Sequence, residues 1–299
     1  MWPQVLIVAV LLLAVCILVF RRKELSVEEL AKRLGVTEDQ LRSTNLDYKE
    51  TFVRKRSGGN RRLLIPADDL KSLQRRILRR LLARLKTHPA TTGFEPGKSI
   101  VDNAKLHVGM EVILKMDIVD FFPSTTADTV RKYFRSIGWC REAAELLTRL
   151  TTYEGGLPQG APSSPRLSNL VNYRLDARIA GYVATQGATY SRYADDITIG
   201  FSIDFPSGIR SAATTVRTII KDCDYRPNGR KQKILRQHQQ QKVTGLVVND
   251  RVNVPRHIRR KLRAVERRLN TGQRATMTRE QLDGWKALLA MVEKQRDGS

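Results

Sequence analysis

The sequence predicts an α+β fold, and three patterns predict it. Val112–Asp117 is an apolar run that ends in an acid, as a buried strand would. Residues 189–201 alternate apolar and polar side chains around Ala194-Asp195-Asp196, like two strands joined by a tight turn. Amphipathic stretches of helical spacing lie between these runs, and strands and helices interleave without a fixed repeat.

Taken in order, Ser26 followed three residues later by Glu29 reads as a capping box. It opens a helix with Val27, Leu30 and Leu34 on one face, ended by Gly35. Thr37 with Gln40 opens a second short helix carrying Leu41. The pair resembles a helix-turn-helix DNA reader, but two helices without a third fit a plain packing hairpin better. Residues 52–66 hold Gly58-Gly59-Asn60 between two short β-like runs and read as a basic hairpin. Residues 71–85 predict a helix with Leu73, Ile77, Leu81, Leu82 and Leu85 inward and a basic outer face. A further hairpin is expected over residues 243–254, then a strongly basic helix over 255–269.

Length and composition bound the function. A chain of 299 residues permits about two domains, or one large one, and 41% apolar residues suffice for a core, so wholesale disorder is excluded. Cys16, Cys140 and Cys223 lie far apart with no CxxC pair, which excludes a disulfide scaffold and a zinc-thiolate site. The net charge of +23 exceeds what solubility needs and points to a polyanion, either nucleic acid or anionic lipid. From residue 251 onward, 13 Lys and Arg stand against 5 acids, so the excess continues to the end.

Residues 5–20 are sixteen consecutive apolar residues, with Trp2 before them and Arg21, Arg22 and Lys23 after. As a helix the run spans ~24 Å, slightly short of a ~30 Å hydrocarbon core. Its positive charge follows the apolar run instead of preceding it, so an uncleaved anchor is expected rather than a signal peptide. The positive-inside rule then predicts a single-pass inner-membrane protein whose remaining chain faces the cytoplasm.

Asp195 and Asp196 stand side by side at a hairpin tip, where repulsion between them invites a cation, and Asp117 ends another apolar strand in the same way. An isolated Asp-Asp pair is most often a solvated turn. Three carboxylates converging from adjacent strand ends would instead hold two Mg²⁺ ions about 3.5–4 Å apart, the arrangement for in-line displacement at phosphorus.

The residues around these acids carry a family resemblance. Tyr193-Ala194-Asp195-Asp196 resembles the YxDD motif of reverse transcriptases, and Asp117-Ile118-Val119-Asp120-Phe121-Phe122 their first aspartate motif. Gly156-Leu157-Pro158-Gln159-Gly160 is similar to their LPQG motif and Asn228-Gly229-Arg230-Lys231 to their later lysine motif. Asn103-Ala104-Lys105-Leu106-His107 and Val243-Thr244-Gly245 are similar to the NAxxH and VTG signatures of bacterial retron reverse transcriptases. The likeness covers roughly residues 26–270. It implies a right-hand polymerase with fingers, a ferredoxin-like palm and a helical thumb, here preceded by the expected transmembrane helix.

The resemblance also implies roles. Asp117, Asp195 and Asp196 are the catalytic acids, and with Ile118 they bind the two Mg²⁺. Phe122 is the gate that selects deoxynucleotides, with Phe121 as competitor. Gln159 lies near the incoming nucleotide, and Arg61 grips its triphosphate. Lys55 is a second cation there, with Arg54 and Arg56 as alternatives. Lys231 neutralises, or gives a proton to, the leaving pyrophosphate. Asn103 and His107 either contact RNA or brace a loop. Arg256, Arg259, Arg260 and Arg263 lie on a thumb helix that follows a duplex by shape and phosphate.

The implied domains are an anchor over 1–23, a helical segment over 24–50, fingers and palm over 51–241, and the VTG region with the thumb over 242–299. The implied activity is that of a retron enzyme, which copies a structured non-coding RNA into branched single-stranded DNA from dNTPs. The resemblance brings an effector protein in anti-phage defence as a partner, whereas the inner membrane, through residues 5–20, is expected from the apolar run alone, a departure from the soluble pattern usual in that family. The rivals are a group II intron-like or other bacterial reverse transcriptase, and a catalytically idle RNA-binding scaffold. No convincing RNase H region follows the thumb.

Overall fold

A computed structural model describes residues 24–54 and 58–297. In chain order the elements are α1 (Val27–Leu34), α2 (Glu38–Ser43), β1 (Tyr48–Arg54), β2 (Asn60–Pro66), α3 (Asp68–Arg76) and α4 (Ile100–Lys105). Next come β3 (Val112–Asp117), α5 (Phe121–Ser124), α6 (Ala127–Ser136), α7 (Arg141–Thr151), α8 (Ser164–Val171) and α9 (Tyr173–Thr185). The chain continues through β4 (Thr189–Tyr193), β5 (Asp196–Phe201), α10 (Pro206–Asp222), β6 (Lys233–Arg236), β7 (Lys242–Val243) and β8 (Leu246–Val247). It ends with α11 (Arg256–Asn270) and α12 (Arg279–Asp297). These form two compact units, one built from the chain up to Arg84 with Thr125–Ser164, the other from Leu85–Ser124 with the chain from Pro165 onward.

In the first unit, Ser26 caps α1 by accepting from the Glu29 amide, but the reciprocal half of the predicted box is missing. Glu29 is drawn instead to Arg33 one turn on, at 2.6 Å. The full capping box is on α2, between Thr37 and Gln40. Val27, Leu30, Leu34 and Leu41 are all buried, and arginines from elsewhere in the unit cover the helix ends. Arg76 donates to the Gly35 carbonyl at 2.8 Å, and Arg149 to the Leu41 carbonyl at 2.7 Å. Such a pair is a packing hairpin. Strands β1 and β2 form the expected antiparallel hairpin, in register from Tyr48↔Pro66 to Arg54↔Asn60.

Helix α3 departs from the prediction after Arg76. It widens into a π-helical turn over Ile77–Leu82. Ile77 and Leu82 are five residues apart and both wholly buried, and a wider turn stacks residues at that spacing on one face. Leu81, expected inward, is left half-buried.

The second unit is built on an antiparallel sheet of strand order β4-β5-β3-β6. Val112, Leu114 and Met116 pair across to Phe201, Ile199 and Ile197, so all six share one face by the two-residue period. That face packs on Leu175, Ile179 and Val183 of α9 and on Ile209, Val216 and Ile220 of α10. Ile113, on the opposite face, packs with Val101, Ala104, Val243, Leu246 and Val292. Thr244 and Gly245 make the β7–β8 turn with φ of 47° and 85°, the two positive angles a tight hairpin needs. The basic helix appears as α11, and Leu262 and Val265 pack on Leu282 of α12, a helix the sequence reading did not anticipate.

The expected membrane span lies in residues 1–23, outside the described residues. Among the described residues no helix is long and apolar enough to cross a membrane. The expected single-pass inner-membrane location is therefore corrected, and the apolar run itself falls short of a ~30 Å core at ~1.5 Å per residue.

Candidate active site

Asp117 is the last residue of β3 and pairs in register with Asp196, the first of β5. On its other side Asp196 pairs with Tyr193, the last residue of β4. Asp195 therefore sits in the turn between β4 and β5, and its carbonyl accepts from the Ile118 amide at 3.1 Å. The three acids predicted from separate motifs thus come from neighbouring strand ends. The Asn228–Lys231 motif reaches the same place. Asn228 Nδ2 donates to Asp117 Oδ1 at 2.9 Å, and Lys231 Nζ donates to Oδ2 at 2.6 Å.

The electrostatics match this geometry. Burial, then the charges of Asp196 and Asp117, push the Asp195 carboxyl up to about 6. Burial would lower the Lys231 ammonium, but the hydrogen bond and charge of Asp117 outweigh it and hold the lysine above its ordinary value. Carboxylates this close, with one lysine among them, are short of positive charge.

The turn is held from beneath by a buried network. Arg192 and Asp176 are both fully buried and meet in a bidentate pair, with Nε to Oδ1 at 2.7 Å and Nη2 to Oδ2 at 2.6 Å. Tyr190 Oη donates to the same Asp176 at 2.6 Å, and Thr91 Oγ1 at 3.0 Å. Arg192 Nη1 then donates to the Ala194 carbonyl at 3.0 Å. Ala194 has φ of 57°, a conformation an alanine holds only where its surroundings impose it. Gly93 lies against the same turn, so close that a Cβ there would sit 2.9 Å from the Ala194 nitrogen.

Phe121 and Phe122 separate cleanly. Phe121 is buried against Tyr225, and Arg192 lies over its ring at 5.4 Å, which makes it a core residue. Phe122 is half-buried, with the ring of Phe94 at 6.1 Å. Asn103 and His107 are 1% and 0% exposed, so of their two alternatives burial supports bracing. Asn103 Oδ1 accepts from Thr92 Oγ1 at 2.6 Å, and His107 Nε2 shares a 2.7 Å hydrogen bond with Ser191 Oγ. Burial, then the nearby Lys115 charge, lowers His107 to about 4, so it is neutral near pH 7.

Arg61 and Gln159 belong to the first unit, and Lys55 lies outside the described residues. Arg61 is exposed at the start of β2. The Gln159 carbonyl accepts from the Leu64 amide at 2.8 Å, tying the LPQG loop to the same strand. Gly160 sits at φ of 125°, and a Cβ there would lie 2.8 Å from the Leu64 carbonyl oxygen. Gly160→Ala is therefore expected to cost about 1–3 kcal/mol and to displace Gln159, lowering the denaturant midpoint together with activity. An unchanged midpoint would contradict it. Arg256, Arg259, Arg260 and Arg263 are all exposed on α11, and the last two help line an open pocket of about 510 Å³ with Arg267 and Arg268.

Among the described residues no group of three or more His, Cys, Asp or Glu is arranged to hold a metal unaided. The donor set nevertheless suits a hard divalent cation. Such ions are usually held by one or two carboxylates, with substrate phosphates completing the shell. Of the predicted ligands, Ile118 has a buried side chain and offers only its carbonyl oxygen.

Sequence reasoning missed Arg192, Asp176 and Phe94. The first two left a signal, since each is a charge within an otherwise buried segment and such a charge needs a partner.

Acids gathered at neighbouring strand ends, with a lysine on one of them, suit cation-assisted chemistry on nucleotide phosphates, and the family match makes the chain a polymerase. The chain belongs to the reverse transcriptases, and within them to the retron type. The profile of the family described as "Reverse transcriptase (RNA-dependent DNA polymerase)" matches residues 53–248. The retron Ec86 reverse transcriptase of Escherichia coli is 34% identical over 277 residues, spanning 90% of this chain and 85% of that one. The retron Mx65 reverse transcriptase of Myxococcus xanthus is 35% identical, spanning 90% and 69%. The fold is similar to that of the telomerase of Candida albicans, solved with a fragment of telomeric RNA, at a TM-score of 0.52 and 11% identity over 79% of this chain and 52% of that one. The protein is an RNA-directed DNA polymerase, and its family generally uses divalent metals.

Proposed function

We propose that this polymerase copies a structured RNA of its own locus into single-stranded DNA, beginning from a 2′-hydroxyl of that RNA so that the product is branched. The observation that carries the chemistry is the Asp117↔Asp196 register with Lys231 on Asp117. Asp117, Asp195 and Asp196, with the Ile118 carbonyl as a further oxygen, would hold two Mg²⁺ ions, whose charge would activate the attacking hydroxyl and stabilise the leaving group. The hydroxyl gives up its proton to solvent as its oxygen bonds to the α-phosphorus of a dNTP, the bond from that phosphorus to the bridging oxygen breaks, and pyrophosphate departs. Lys231 offers the departing pyrophosphate a proton or its charge. Asn228 holds Asp117 in place.

In the same reading Phe122 selects against a 2′-hydroxyl. Arg61, Gln159 and Lys55 bind the nucleotide, with a guanidinium suited to a bidentate phosphate grip. Arg256, Arg259, Arg260 and Arg263 follow the RNA–DNA duplex. The fingers and palm correspond to residues 51–241 and the thumb to 242–299. Defence against phage, with an effector protein as partner, is the cellular role we attach to this reading.

The test is extraction of small nucleic acid from cells carrying the gene with its native flanking DNA, compared with Asp195→Asn/Asp196→Asn. A discrete DNA band is expected that shortens on RNase treatment and is lost in the variant. If purified protein extends an ordinary DNA primer on RNA but no band forms in cells, the branched product is wrong.

A further inference from the structure

Phe94 is a large apolar residue that is 42% exposed, at φ of 61°, where a bulky side chain is an outlier. Both neighbours are pinned. The Gly93 carbonyl accepts from Asn169 Nδ2 at 2.6 Å, and the same nitrogen donates to Glu95 Oε1 at 2.8 Å. Glu95 also forms a buried ion pair with Arg166. Gly93 is itself wedged against the Ala194 backbone. With the chain fixed on either side, Phe94 is held in its strained conformation, and strain imposed in this way concentrates at functional sites.

The ring lies beside two residues of the polymerase motifs. Its centroid is 6.1 Å from that of Phe122 and 6.0 Å from that of Tyr193, with tilted planes, which are ordinary aromatic contact distances. Phe122 also meets Phe121, at 5.6 Å edge to face. Phe122 thus touches both a core ring and an exposed one.

We propose that Phe94 is a positioning residue for sugar selection: it braces the Phe122 ring, so that discrimination between deoxynucleotides and ribonucleotides depends on both aromatics. The inference rests on the reading of Phe122 as the gate. A gate that can tilt away admits a 2′-hydroxyl. Without Phe94, Phe122 keeps the Phe121 contact alone of its two ring contacts, and its ring is freer to tilt.

Single-nucleotide extension on an RNA template, with full-length Phe94→Ala, Phe94→Leu, Phe94→Tyr and Phe122→Ala, tests it. The readout is the ratio of kcat/KM for a ribonucleotide to that for the matching deoxynucleotide. The ratio is expected to rise about five- to tenfold in Phe94→Ala and Phe94→Leu, the effect of losing one aromatic contact. It is expected to return toward the native value in Phe94→Tyr, and to rise further in Phe122→Ala. If Phe122→Ala raises the ratio and Phe94→Ala does not, the bracing role is overturned alone. A native ratio in Phe122→Ala overturns the gate and the bracing together. If Phe94→Ala slows both nucleotides equally, Phe94 is merely structural. Melting curves of the Ala and Leu variants confirm that the proteins compared are folded.

Discussion

Asp117→Asn is expected to stop DNA synthesis, lowering kcat by about 10³-fold or more, because it removes a negative charge that would hold the divalent cations facing the phosphates. The change is nearly isosteric. The bond from Asn228 has an oxygen to reach in either residue, and β3 keeps its register with β5. What is lost is the anion that pairs with Lys231 at 2.6 Å and, with Asp195 and Asp196, forms the negative cluster. A second measurement separates this from simple damage. Asp195 is raised from 3.8 to about 6 in the fold, so the fold favours its protonated form. Stability from this group therefore falls as pH rises through about 4 to 6, and above that the folded state carries the full repulsion. A divalent cation relieves that repulsion. Adding Mg²⁺ at pH 8 is expected to raise Tm, the gain shrinking below pH 6 and disappearing in Asp195→Asn/Asp196→Asn. An equal gain in that variant would show the cation binding elsewhere.

What the sequence revealed of this site, and what it hid, follows from the range of the forces involved. Strand β3 and the β4–β5 hairpin were legible because a two-residue period and an apolar run are local properties of the chain. The likeness of four ordered motifs to those of reverse transcriptases implies that Asp117, Asp195, Asp196 and Lys231 meet, far apart as they are in the chain. The half-formed cap at Ser26 was misread because Glu29 had a nearer partner in Arg33. The π-helical turn at Ile77–Leu82 is a response to packing, which no local pattern encodes. Phe94 was missed for a related reason. Its importance lies in two rings 28 and 99 positions further along the chain and in the Asn169 side chain that pins its neighbours.

The Asp176–Arg192 pair is where the second large effect is expected. Removing either partner alone leaves a charge with no counter-ion at a site with no solvent access, and such losses cost about 3–5 kcal/mol. Burial works against the charged Arg192, and the charge and hydrogen bond of Asp176, aided by Tyr190 and Tyr225, outweigh it and raise the guanidinium above its ordinary value. Asp176→Ala and Arg192→Met are therefore each expected to lower Tm by about 10 °C. The double variant Asp176→Leu/Arg192→Met should lose much less than the sum, since an apolar pair leaves no buried charge behind. Its activity should nonetheless stay low. Arg192 also donates to the Ala194 carbonyl, and that bond helps hold an alanine at φ of 57° immediately before Asp195 and Asp196. Stability can thus be restored without the turn that aims the catalytic acids. If the double variant regained both stability and native rates, Arg192 would be a core residue only, and the turn would be held by the Gly93 segment alone.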